Sequence, residues 1–192
     1  MSGIITDNLG RSTGLIKAAG GGGAMELITS ATFAESTSIE ISSLGSDYIV
    51  HKFYMTIDSN NDVHNCHMHL STGGSYATTN YHWMHHVSNS GQGAQNENAG
   101  NQSSCLINQD EGRNNKDAVL EMDMYNWIDT ADYTYPTAVW TLINQNDQQE
   151  GVLDHGGLYM YNWVTAVDAF KFVISAGHYT GEYWLYGIKK SS

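Results

Sequence analysis

Apolar and polar residues alternate along much of the chain beyond residue 25, and a period of two predicts strands with one buried face. Ser38-Ile39-Glu40-Ile41-Ser42 alternates strictly. Between 49 and 57 the odd positions Phe53, Met55 and Ile57 form one apolar row, and between 63 and 70 Cys66, Met68 and Leu70 form another. Across 118–126, Ala118, Leu120, Met122 and Met124 share a face, with Val119, Glu121 and Asp123 opposite. Residues 137–143 are a short β-rich run. Residues 157–164 set Leu158, Met160 and Val164 against Tyr159, Tyr161 and Trp163. Residues 169–175 set Phe170, Phe172 and Ile174 against Ala169, Lys171 and Val173, and 182–188 are aromatic and β-rich. A helical stripe over a dozen residues is nowhere evident. Some eight to ten strands in one domain predict an all-β fold, an antiparallel jelly-roll-like β-sandwich.

The pattern divides the chain into an arm, 1–24, and a body, 25–192. The arm ends in Gly20, Gly21, Gly22 and Gly23, a run with maximal backbone freedom that predicts a hinge. Ahead of it lie two apolar doublets, Ile4-Ile5 and Leu15-Ile16, each following a glycine. A doublet on a flexible segment cannot bury itself alone, so the four side chains are candidate docking residues that order on a partner. Within the body, 88–116 and 144–157 are rich in Asn, Gln, Ser and Gly and read as polar connections, the first anchored by Cys105-Leu106-Ile107.

Composition narrows the function. At 192 residues the chain is long enough for a core without staples. Its net charge is −12, and 25–188 holds 4 basic against 19 acidic groups, or −15. So acidic a body disfavours nucleic acid and anionic membrane surfaces as partners. No apolar run reaches the roughly 18 residues of a membrane span, and the opening residues lack the basic and apolar regions of a secretory signal. Cys66 and Cys105 allow at most one disulfide, and without export two thiols are expected.

Little in the chain suggests catalysis. Six of nine histidines fall between 64 and 86. On a strand His67 and His69 share a face about 7 Å apart, which is half a ligand set. Three such pairs on a threefold axis would complete an octahedral shell. Without a third ligand in register, a solvent-facing row is the simpler expectation, with no metal or cofactor. Glu121 and Asp123 point the same way from one strand, whereas glycoside hydrolysis needs carboxylates across a cleft. No nucleophile-elbow, zincin, Walker or dinucleotide motif occurs, so the chain is not expected to be an enzyme. The many aromatics exceed one core face, and Tyr81, Trp83, Trp127, Tyr159 and Tyr161 are candidate glycan or subunit contacts.

The two ends carry a resemblance. Met1-Ser2-Gly3-Ile4-Ile5 with Ser12-Thr13-Gly14-Leu15-Ile16-Lys17 resembles the N-terminus of short virion proteins of marine tailed bacteriophages. Gly181-Glu182-Tyr183-Trp184-Leu185-Tyr186-Gly187-Ile188 resembles their closing strand, and Ser46-Asp47-Tyr48 with the strand through Tyr54 resembles a further block. The likeness covers about 40 residues, leaves 88–168 unmatched and attaches no catalytic residue. It implies a non-enzymatic tail-fibre, tail or capsid-decoration component, assembled in the host cytoplasm and located in the virion. Its partners would be other virion proteins and further copies of itself, a trimer being favoured by analogy with virion appendages. The alternative is a module that binds host surface glycans.

Overall fold

Alternation along each strand sorts side chains onto two faces, and the apolar faces meet in a β-sandwich. The computed structural model describes residues 25–58, 65–89, 93–108, 115–128, 136–146, 151–161, 163 and 165–189. Among them are thirteen strands and no helix. In order they are β1 (Met25–Ser36), β2 (Ser38–Ser42), β3 (Tyr48–Asp58), β4 (Cys66–Thr72), β5 (Ser75–Tyr76), β6 (Tyr81–Asn89) and β7 (Gly93–Gln102). There follow β8 (Cys105–Asn108), β9 (Asn115–Tyr125), β10 (Thr137–Asn146), β11 (Gly151–Met160), β12 (Ala169–Ile174) and β13 (Tyr179–Lys189).

One sheet has eight strands in the order β1-β13-β3-β9-β10-β11-β6-β7. The other has the order β2-β12-β4-β5, with β8 also paired to β4. All pairings are antiparallel. Four of them are nested: β1 with β13, β2 with β12, β3 with β9, and β4 with β8. The hairpins β6–β7 and β10–β11 are inserted into that scheme and widen the larger sheet.

The apolar rows expected from the sequence are the core. Phe53, Met55 and Ile57 face Met68, Leu70, Phe170 and Phe172 across the sandwich, all buried. The Phe53 ring lies 5.3 Å from Phe170 and 5.4 Å from Phe172, tying the sheets together. Each such ring contributes about 1.5–3 kcal/mol on burial. Cys66 and Cys105 are both free and buried, and burial pushes the Cys66 thiol up to about 12. The β4–β5 turn is made by Gly73 and Gly74, both left-handed with φ of 56° and 78°. The Asp168 carboxylate accepts the Gly74 N–H at 3.0 Å.

Two expectations change. Residues 93–102, expected within a polar connection, form the edge strand β7, which pairs with β6 through the backbone ladder and polar side chains and so shows no apolar period. Residues 144–157 likewise hold the end of β10 and the start of β11. The anchor is confirmed: Cys105, Leu106 and Ile107 are buried as β8. The arm with Ile4, Ile5, Leu15 and Ile16, and the hinge Gly20 to Gly23, lie outside the described residues.

Candidate functional site

The core face of the eight-stranded sheet fixes what its outer face presents. Where β10, β11 and β6 run side by side, three cross-strand rows emerge on the outside. Thr137, Tyr159 and His82 stand in register in the first row. Val139, Gly157 and Met84 form the second, and Thr141, His155 and His86 the third. Strands lie about 4.8 Å apart and rows about 7 Å apart. Gly157 is thus the centre of a three-by-three grid, and it has no side chain. On the next strand Asn98 pairs with Met84 and Asn96 with His86. All of these except Thr141 line a groove of about 890 Å³.

The walls are orientated by contacts. His82 stacks on Tyr159 with centroids 5.0 Å apart and planes 18° from parallel, and Tyr161 meets His82 at 5.7 Å. His86 Nδ1 is 2.7 Å from Asn96 Oδ1, and His155 Nδ1 is 3.0 Å from Thr141 Oγ1. Each bond leaves Nε2 on the opposite side of its ring. Met84 is 65 % exposed and Tyr159 43 % exposed, large values for such side chains in a sheet. Among the described residues that line the groove there is no lysine or arginine, and there is one carboxylate. That carboxylate, Glu97, lies 3.3 Å from the buried His85 on the inner side.

Beyond Val139 the outer face becomes charged. Lys52 Nζ donates to Asp123 Oδ1 at 2.6 Å, and that bond raises the ammonium pKa despite some desolvation. Glu121, two residues along β9 from Asp123, shares this face and is exposed. The two carboxylates stand on one strand, as the alternation predicted, and among the described residues lining the adjoining groove there is no other carboxylate.

The five aromatic candidates separate. Tyr159 is exposed in the groove, and Tyr161 is exposed beside it against His82. Tyr81 and Trp127 are corrected: both are fully buried core residues and make no outside contact. Tyr81 Oη accepts the Leu70 N–H at 2.7 Å, and Trp127 Nε1 donates to the Thr137 carbonyl at 3.0 Å. Each polar tip is satisfied internally, which is what lets so large a ring go inside. Trp83 is half-buried on the inner face of β6 beside His85. His67 and His69 are half-buried on the outer face of the smaller sheet, and burial lowers both pKa values. Among the described residues no three metal-ligating groups come together.

Sequence reasoning missed His82, Met84, His86, Asn96, Asn98, His155 and Gly157 as groove residues. The usable signal was the alternation within 81–87 and the Gly156-Gly157 pair inside a β-rich run. No protein-family model matches the chain, and no curated protein is significantly similar to it.

Proposed function

We propose that the chain is a non-enzymatic structural component of a bacteriophage particle, held by residues 1–24 and presenting the sandwich outward. The observation that carries this reading is the nested pairing of β1/β13, β2/β12, β3/β9 and β4/β8. We read it as jelly-roll order, an architecture used by viral capsid and lectin domains. The resemblance of both chain ends to phage virion proteins supports the same reading. So do two of its blocks meeting in space: Tyr48 packs on Gly187. Purified particles of the phage encoding the chain, analysed by mass spectrometry, are expected to contain it. Deleting residues 1–19 should remove it from particles while the body stays folded. A truncated body that still joins particles normally would refute anchoring by the arm.

A glycan-binding module is the second reading. It is favoured by the groove, where Tyr159, Tyr161 and His82 give an exposed aromatic surface beside amide side chains. The two readings are compatible, since a particle protein can also recognise a host surface.

A further inference from the structure

Gly156 and Gly157 are neighbours in β11, and the fold explains only one of them. Gly156 faces inward under the Trp140 indole, and a β-carbon there would fall inside the ring. Gly157 faces outward. A β-carbon there would lie 3.5 Å from the Ala138 carbonyl oxygen and 3.8 Å from Val139 Cγ1, which are ordinary contacts. Its φ is not in the left-handed region either. A strand-interior glycine sacrifices rigidity and packing, and where the fold does not need it, it marks the close approach of something else.

We infer that the depression over Gly157 is a binding site for one ring of a neutral glycan. The inference rests on the glycan-binding reading above and assigns its site and ligand class. The depression is one missing side chain wide, which suits a single pyranose ring. Its wall toward Tyr159 and His82 is a stacked aromatic pair, able to take the C–H face of a sugar. The opposite wall is hydrogen-bonding: the His86 and His155 rings are held through Nδ1, and Asn96 and Asn98 stand beside them. Hydroxyl groups, which both donate and accept, match the Nε2 atoms of these rings and the amide groups beside them.

Charge selects among ligands. Among the described residues no lysine or arginine lines the groove, so a phosphate, sulfate or uronate meets no cation there. Residues 117–168, which supply β10, β11 and β9 beyond Lys116, hold nine acidic groups and no Lys or Arg. That field repels anionic glycans, and it repels a second copy of the same surface.

The test uses the full chain on an array of neutral and acidic oligosaccharides, with hits titrated by saturation-transfer NMR. Binding to neutral oligosaccharides is expected. Gly157→Val fills the depression, and Tyr159→Ala removes the platform; each should weaken binding at least about tenfold. Val119→Thr, on the same face but outside the groove, should bind as wild type does. Gly157→Val should also melt at or above the wild-type temperature, because its β-carbon has room. Neutral-glycan binding that survives Gly157→Val overturns this site and leaves the glycan reading standing, as does a preference for acidic glycans. A lower melting temperature for Gly157→Val makes the glycine structural and removes the argument for a ligand. Absence of binding to every glycan overturns both the site and the glycan reading, and leaves the particle role to its own experiment.

Discussion

The Tyr48 ring lies against the α-carbon of Gly187, so closely that a β-carbon at 187 would fall within the phenol. The same tyrosine donates its hydroxyl to Glu26 Oε2 at 3.3 Å, and Lys189 Nζ reaches that carboxylate oxygen at 2.9 Å. Three strands, β1, β3 and β13, are thereby joined at one corner. The Gly187→Ala protein must displace the ring, and overpacking of this kind costs about 1–3 kcal/mol. Urea unfolding should show the loss. Combining it with Tyr48→Ala should cost less than the sum of the two single changes, because both act on one contact. Strict additivity would show that the contact does not exist in solution.

Phe170 is the hinge of the core packing, edge-on to Phe53 at 5.3 Å and to Trp127 at 5.4 Å. It is fully buried. Phe170→Ala leaves a cavity between the two sheets and is expected to destabilise by about 3–5 kcal/mol. Phe170→Leu, which keeps most of the volume, should cost markedly less. Equal losses for the two variants in denaturant titration would contradict the packing described.

Acid should weaken the fold before carboxylates titrate. Burial lowers the pKa of His51, His67 and His69 below the ordinary value of 6.5. The unfolded chain therefore takes up protons that the folded one resists. Stability is full above 6.5 and declines as pH falls below it toward the depressed folded values. The thermal midpoint is expected to drop between about pH 7.5 and about pH 5.5. Replacing His51, whose Nε2 lies 2.9 Å from the Leu44 carbonyl, by Gln should flatten that dependence. A midpoint that holds steady or rises on acidification would contradict burial of the neutral rings.

Both thiols should be silent in the native protein. Cys66 and Cys105 are buried, and burial raises both pKa values, Cys66 to about 12. Thiolate is the reactive form, so labelling by an aromatic disulfide reagent at neutral pH should be negligible until denaturant is added. Two equivalents are then expected. Prompt native labelling of either residue would place it at the surface.

The strand pattern was legible because each core strand has one buried face. The rows Phe53-Met55-Ile57 and Cys66-Met68-Leu70 are buried as read, and Tyr159 and Tyr161 lie on the side opposite Leu158 and Met160. The edge strand β7 was not legible, since an edge needs backbone pairing and its Asn and Gln side chains carry no apolar period. Tyr81 and Trp127 misled for a related reason. Ring size and polarity do not say which side of a strand a residue occupies when its hydrogen-bonding tip can be satisfied inside. The groove was hidden because it is assembled by register: His82, Gly157 and Asn96 come from three strands, and only pairing brings them together.

Nesting of the strands places both ends of the described chain at one side of the larger sheet, where Met25 stands opposite Ile188. A single register line then runs from Ile188 through Val50, Tyr125 and Thr137 to Tyr159. Four strand spacings along that line come to about 19 Å. The offset between tether and groove is therefore set by a continuous hydrogen-bonded ladder, stiff in the direction that matters. Within the body, the strand ends at Met25 and Ile188 therefore keep the groove at a fixed distance and in a fixed orientation.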